Sequence, residues 1–139
     1  LPKLSLFQDI MCDEIIEYNY KFKDKKCLFI SNWPKEFKFM MWSNRLTSDG
    51  YNIPHIHPSG WLSGVFYLKI PKLLKDDEAG IEFSLHGDNY KIINSNILKK
   101  TYSPSAGDLV LFPSSLYHKT IPFKSNEERV CIAFDIIPL

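Results

Sequence analysis

Three of the four histidines in this chain stand in a pattern that suits a metal ion. His55 and His57 are separated by one residue, and His118 follows far along the chain. Imidazole is the commonest side-chain ligand of transition metals. Arg129 comes soon after His118, and a guanidinium can hold a carboxylate through two hydrogen bonds. These residue types predict a metal centre with a binding position for an acidic molecule beside it.

The short spacing of the first two histidines fits an extended backbone. In a strand, residues i and i+2 point to the same side. Pro54 and Pro58 favour extended conformations in the residues that precede them. His55 and His57 can therefore take two adjacent positions on one metal, with His118 as the third ligand. Three ligands on one face leave open positions opposite, which is the arrangement that activates O2 on non-haem Fe(II).

The elements that must position these residues are one helix and a series of short strands. Apolar residues recur at helical spacing between Gln8 and Tyr20. Downstream, short apolar runs alternate with turn residues. The predicted strands are Phe37–Trp42, Leu62–Ile70, Ile81–Leu85, one or two within Tyr90–Leu98, Leu109–Phe112, and Val130–Ile137 with Val130, Ile132, Phe134 and Ile136 on one face.

This order of elements predicts a mainly β fold. We expect a jelly roll, or double-stranded β-helix, with an N-terminal helix at about residues 8–20 and a β core at about residues 37–138. At 139 residues the chain is predicted to form a single domain over residues 1–139. Such a roll encloses a cavity in which side chains from different strands can meet.

Composition and charge restrict the class of function. Hydrophobic residues make up 45% of the chain and charged residues 24%, as in ordinary globular proteins. The formal net charge of +1 gives no strong field for nucleic acid or an anionic membrane. No apolar run approaches the roughly 20 residues that span a bilayer. We therefore expect neither a nucleic-acid partner nor a membrane.

The cysteines and the termini give expectations about location and assembly. Cys12, Cys27 and Cys131 are odd in number and lack CxxC spacing, which predicts free thiols in the reducing cytoplasm. The first residues lack the pattern of a signal peptide. The chain starts with Leu rather than Met, so it can be part of a longer protein. Exposed edges of such sheets often pair with one another, so a homodimer is a further expectation.

The motifs around these residues resemble those of 2-oxoglutarate- and Fe(II)-dependent oxygenases, in particular a small bacterial and phage family with a His-x-His metal motif. The matching segments are Trp42–Leu46, Gly50–Asn52, Pro54–Pro58, Leu62–Leu68, Pro104–Gly107 and Leu109–Pro113, followed by His118 and Arg129. The resemblance implies a dioxygenase that uses Fe(II) and the co-substrate 2-oxoglutarate to hydroxylate a small molecule or an amino-acid side chain.

The resemblance also implies roles for individual residues. His55, His57 and His118 would bind the metal and form the catalytic centre. Arg129 would bind the far carboxylate of 2-oxoglutarate, and Tyr67 is similar to the strand tyrosine that assists this anchor in the prolyl-hydroxylase branch.

Two positions depart from the pattern of the wider superfamily. His57 stands where the superfamily has Asp or Glu, and Cys131 stands where many members carry a Ser that touches the carboxylate. The change at His57 leaves three alternatives open. The site is a working three-histidine centre, which we expect; or Glu82 or Asp88 completes the shell; or the protein binds metal poorly.

Two other functions remain open on the sequence. A cupin-type dioxygenase would use three histidines without a keto acid, although Arg129 and the long gap to His118 argue against it. A non-enzymatic jelly roll, either a binding module or a structural protein, would leave the histidines inert. His86, next to Gly87, is predicted to be a turn residue rather than a ligand.

Overall fold

The computed structural model describes residues 2–72, 74–87, 90–93 and 96–139, in two compact units that divide after Glu36. The first unit contains the helices α1 (Pro2–Phe22) and α2 (Leu28–Ser31). Helix α1 extends beyond the predicted residues 8–20 at both ends. The apolar periodicity marks only the residues that pack, whereas backbone hydrogen bonding continues through the polar ends of a helix.

The second unit, which begins at Phe37, contains two antiparallel sheets. Its strands are β1 (Phe37–Leu46), β2 (Leu62–Lys69), β3 (Ile81–Ser84), β4 (Lys99–Tyr102), β5 (Leu109–Pro113), β6 (Tyr117–Thr120) and β7 (Arg129–Pro138). One sheet has the order β1-β7-β2-β5 and the other β4-β3-β6. This arrangement confirms the predicted mainly β fold.

Strand β7 lies between β1 and β2, and one of its faces lines the inside of the roll. Four alternate residues on this face are buried: Arg129, Cys131, Ala133 and Asp135. The opposite face of the strand carries Val130, Ile132, Phe134 and Ile136, which the sequence predicted to share one face. Phe134 and Ile136 are also fully buried, so the strand is covered on both sides along its second half. A strand covered on both sides has no clear alternation, and its pattern does not tell which face is inside.

The inner face of the roll holds one apolar cluster. Its buried members are Val65, Tyr67, Ile81, Phe112, Cys131 and Ala133, contributed by both sheets. Polar groups on the same face therefore lie in surroundings with little water.

The prediction of one or two strands within Tyr90–Leu98 is wrong for the described part of that segment. The described part of the segment 90–98 contains no strand, and β4 begins only at Lys99. The segment is partly apolar in sequence, yet Tyr90, Ile92, Ile93 and Leu98 are exposed, and Ile93 is 95% exposed. Apolar content produces a strand only where a partner strand can accept its hydrogen bonds. Among the described residues, no helix combines the length and apolar character needed to cross a membrane.

Candidate metal centre

The backbone brings three histidines together at one end of the roll. His55 and His118 form an isolated antiparallel bridge, and the amide N–H of His57 donates to the carbonyl of Ser114 at 2.9 Å. Ligand atoms of the three histidines lie within 4.8 Å of one another. Within the described part of the chain, no other group of three His, Cys, Asp or Glu side chains is placed to share an ion.

Each of the three rings already has its Nδ1 atom engaged by an oxygen. For His55, His57 and His118 these oxygens are the Ile53 carbonyl at 2.7 Å, the Asp135 carboxylate at 2.7 Å and the Leu116 carbonyl at 3.0 Å. Because carbonyl and carboxylate oxygens accept, each Nδ1 carries the proton and donates it. In the singly protonated form of each ring, the lone pair is therefore on Nε2, where it can bind a metal.

Burial keeps the distal histidine neutral. The side chain of His118 is 7% exposed, and this desolvation lowers its pKa to about 4. The nearby rings of His55 and His57 lower the pKa further, while the Leu116 carbonyl and the Asp135 carboxylate act in the opposite direction. Since metals bind the neutral ring, His118 can bind at neutral pH without first losing a proton.

Asp135 forms a hydrogen-bonded network behind His57. Its Oδ1 atom accepts a hydrogen bond from His57 Nδ1 at 2.7 Å and another from Ser63 Oγ at 2.6 Å. Ser63 lies directly opposite Asp135 in the register of β2 and β7, and its hydroxyl is 2.8 Å from that of Ser114. Asp135 was not among the site residues predicted from the sequence. One signal was available, because an acidic residue within the apolar run of a buried strand needs a polar partner.

Arg129 lies at the other end of the same face of β7. Its side chain is 2% exposed, and its Nε donates to the carbonyl of Ala79 at 2.9 Å. Its Nη1 lies 3.5 Å from the Cys131 sulfur. No carboxylate among the described residues forms an ion pair with it. A buried guanidinium without an anion is costly, so this position suits an incoming carboxylate.

Tyr67 packs against the guanidinium of Arg129. The guanidinium carbon is 5.0 Å from the centre of the Tyr67 ring. The side chain of Tyr67 is fully buried, and no hydrogen bond reaches its hydroxyl. Burial raises the pKa of Tyr67 to about 12, because desolvation outweighs the opposing effect of Arg129. The hydroxyl is therefore a protonated donor without a partner, and a bound carboxylate could accept from it.

Two cavities meet at the histidines. The first, of about 50 Å³, is lined by the three histidines, Arg129 and polar residues that include Asn44, Asn52 and Thr120. The second, of about 470 Å³, has mostly apolar walls formed by Met40, Met41, Trp42, Ile56 and Pro58, with His57, Ser59 and Asp135. His57 and Trp42 line both cavities. The histidine cluster therefore lies between a polar cavity that contains the buried guanidinium and a wider apolar space.

The structure also places the other candidates from the sequence. The proposal that Glu82 completes the metal shell is wrong, because Glu82 lies outside the histidine cluster. Ile81 and Phe83 pack toward the core, so Glu82 faces away from it, with the amines of Lys99 and Lys119 each 3.3 Å from its carboxylate. Asp88 lies outside the described residues.

His86 follows strand β3, outside the histidine cluster. Its Nε2 is hydrogen-bonded to the carbonyl of Tyr90 at 2.8 Å, and its backbone N–H donates to the hydroxyl of Ser84. These local bonds are typical of a turn residue, as the sequence predicted.

The chain is similar to known oxygenases. The family model described as "Putative 2OG-Fe(II) oxygenase" matches residues 40–135. No protein of curated function matches the sequence.

Several solved structures share the fold. A prolyl-4-hydroxylase of Pseudomonas putida has a TM-score of 0.56 at 17% identity, over 73% of this chain and 54% of its own. An oxidoreductase of the 2OG-Fe(II) oxygenase family from Burkholderia pseudomallei has a TM-score of 0.53 at 14% identity, over 74% of this chain and 47% of its own.

HygX of Streptomyces hygroscopicus, solved with nickel and 2-oxoglutarate bound, has a TM-score of 0.53 at 16% identity. The match covers 77% of this chain and 59% of HygX. The present chain thus spans about half to three-fifths of the length of these structures. Because the family model covers most of the chain, including the His-x-His motif, the distal histidine and the buried arginine, the chain belongs to the 2OG-Fe(II) oxygenase family.

Proposed function

We propose that this protein is a dioxygenase that depends on Fe(II) and 2-oxoglutarate. In this proposal His55, His57 and His118 bind the iron, and Arg129 and Tyr67 bind the far carboxylate of 2-oxoglutarate. The observation that supports it best is that one cavity joins three available Nε2 atoms to a buried guanidinium without an anion. A ligand for this cavity needs a metal-binding group at one end and an acid at the other, and 2-oxoglutarate has both.

The donor set fits this assignment. Imidazole nitrogens suit Fe(II), and three of them on one face leave positions for a keto acid and for O2. With both groups bound, the site would oxidise 2-oxoglutarate to succinate and CO2 and place one oxygen atom into a C–H bond of the substrate. HygX, which shares the fold, holds nickel and 2-oxoglutarate in its solved structure.

The residues of the chain would orient the co-substrate and exclude water from it. Arg129 can donate two parallel hydrogen bonds to a carboxylate, and the hydroxyl of Tyr67 can donate a third. The first cavity is narrow, so a bound keto acid would fill it. Positioning of this kind is the part of the catalysis that the protein supplies, while the metal and the co-substrate carry the chemistry.

We place the primary substrate in the second cavity, beyond His57. Apart from Ser59, the engaged His57 and the engaged Asp135, its walls are apolar. They favour an uncharged group of a small molecule or an amino-acid side chain. Trp42, whose ring meets His57 edge-on at 5.4 Å, would form the wall between substrate and metal.

We also propose a location and an assembly for this chain. The three cysteines are free, which agrees with a reducing compartment such as the cytoplasm. The outer strands of the larger sheet, β1 and β5, have edges that could pair in a homodimer.

The direct test is turnover of the co-substrate. The protein is loaded with Fe(II) and 2-oxoglutarate without oxygen, O2 is then admitted, and succinate is measured. We expect succinate from the wild type and little from Arg129→Ala. Stoichiometric iron without consumption of 2-oxoglutarate would favour the cupin-type enzyme. Absence of stoichiometric metal would favour the non-enzymatic jelly roll.

A further inference from the structure

We propose that Asp135 is a positioning residue of the metal centre, which supplies through His57 the negative charge that the three ligands lack. The inference rests on the proposed function, because it concerns the same metal site. Three neutral imidazoles give a divalent ion no compensating charge. In the described structure, Asp135 is the carboxylate that contacts one of these rings, at 2.7 Å from His57 Nδ1.

The three proposed ligands differ in the group that accepts the hydrogen bond from Nδ1. The Nδ1 atoms of His55 and His118 donate to backbone carbonyls, which are neutral acceptors. The Nδ1 atom of His57 donates to a carboxylate. An anionic acceptor fixes the tautomer and orientation of the ring and makes its other nitrogen a stronger ligand. His57 should therefore bind a metal more strongly than a histidine held by a carbonyl.

The surroundings of Asp135 hold the carboxylate in this position. Its side chain is 2% exposed, and Ser63 donates a second hydrogen bond to the same oxygen at 2.6 Å. A Cβ atom at Gly60 would lie 3.2 Å from the carboxylate carbon and 2.5 Å from the Ser114 hydroxyl. The backbone at Gly60 thus packs directly over this network, and a larger residue there would disturb it.

The charge of Asp135 is not balanced by a lysine or arginine in the described part of the chain. The basic side chain in contact with the carboxylate is the His57 ring, which carries no charge unless it is protonated on both nitrogens. A buried carboxylate without a cation is costly. A metal ion bound on the far side of His57 would provide the missing positive charge. The arrangement explains how the site can dispense with a carboxylate ligand in the position of His57.

The test measures metal affinity alone, without 2-oxoglutarate or turnover. Co²⁺ is titrated by calorimetry into the wild type, Asp135→Asn and Ser114→Ala. The Asn side chain keeps the size and an accepting oxygen but removes the charge, so we expect Co²⁺ binding to weaken about 10- to 100-fold. Ser114→Ala is the matched control, because it removes a hydrogen bond of the same network one step further from the ring. It should change affinity less than about threefold.

The Asp135→Asn substitution in a second variant, His57→Asp, distinguishes an effect of the Asp135 charge from an effect of Asp135 on the fold. His57→Asp places a carboxylate in the shell itself, next to Asp135, and like charges at that distance repel. In this background Asp135→Asn should leave Co²⁺ affinity unchanged or raise it. A loss of equal size in both backgrounds would show that Asp135 only supports the fold, and would overturn the proposal. Wild-type affinity in Asp135→Asn would overturn it as well.

One measurement needs no variant. In the metal-free wild type, ¹⁵N shifts of the histidine rings should show His57 protonated on Nδ1. Protonation on Nε2 would overturn the proposal. Failure of the wild type to bind Co²⁺ would count first against the proposed function, and so the two ideas fail on different observations.

Discussion

His55 and His118 exchange both of their backbone hydrogen bonds, each at 3.0 Å, across the isolated antiparallel bridge. Their ring centres lie 4.3 Å apart. The main chain therefore sets the spacing of two proposed ligands that are distant in sequence. The third proposed ligand, His57, is held by the Asp135 side chain. With two of these rings positioned by the backbone and one by a buried carboxylate, the proposed site would need little rearrangement to bind a metal.

Removal of the distal ligand should abolish metal retention. His118→Ala removes one Nε2 atom but leaves the backbone bridge to His55 able to form. We expect the purified variant to lose stoichiometric iron or cobalt, as measured by elemental analysis. His86→Ala, which changes a histidine outside the cluster, is the control and should keep its metal. Unchanged metal content in His118→Ala would remove this residue from the shell.

Loss of the buried guanidinium should weaken 2-oxoglutarate far more than metal. In Arg129→Ala the co-substrate carboxylate would be buried without a partner, at a cost of at least about 2 kcal/mol, or about 30-fold in Kd. Calorimetry with 2-oxoglutarate and with Co²⁺ separates the two affinities. Arg45→Ala is the matched control, since Arg45 is exposed and pairs with Glu128 at 2.8 Å. Equal losses of both affinities in Arg129→Ala would contradict the anchor role.

Removal of the Tyr67 hydroxyl should weaken 2-oxoglutarate binding without lowering the stability of the folded protein. Tyr67→Phe deletes a buried group that has no hydrogen bond in the structure, so the free energy of unfolding should stay the same or rise by up to about 1 kcal/mol. The same change should weaken 2-oxoglutarate about tenfold, through loss of one hydrogen bond to a charged group. Urea denaturation and calorimetry provide the two measurements. Full affinity in Tyr67→Phe would remove the hydroxyl from the anchor.

The stability of the metal-free protein should fall in acid because of His118. Its pKa is about 4 in the folded state and about 6.5 in an unfolded chain. Between these values the unfolded state binds a proton that the folded state does not, so the free energy of unfolding decreases as pH falls. The full effect is about 3 kcal/mol. Urea denaturation at several pH values should show a shallower decline for His118→Ala. Equal slopes for the two proteins would contradict the assignment.

The strands were predictable from the sequence where one side chain in two is apolar or where turns mark the ends. Strand β2 (Leu62–Lys69) ends one residue before its predicted end at Ile70, which Pro71 follows. The prediction of strands within residues 90–98 was wrong, because the apolar content of a segment carries no information about a partner strand. Strand β7 was predicted to within one residue at each end, but its pattern does not tell which face lies inside, because both faces are covered along its second half.

The candidate site was also predictable only in part. The residue types at positions 55, 57, 118 and 129 predicted a metal centre with a binding position for an acidic molecule beside it. Imidazole is the commonest side-chain ligand of transition metals, and guanidinium is well suited to bind a carboxylate. The network of Ser63, Ser114 and Asp135 could not be predicted, since these residues meet through the pairing of β2 with β7 and the packing of the loop at Gly60.

By itself, the sequence determined the chemistry of the ligands, the class of fold and the family. The tertiary structure decided which nitrogen of each ring is available, which charge lies behind His57, and that Arg129 is buried without an anion. Tautomers, burial and ion pairing depend on atoms that distant segments bring within a few ångströms. Such contacts arise only when both sheets close around the cavity, and no local pattern in the chain contains them.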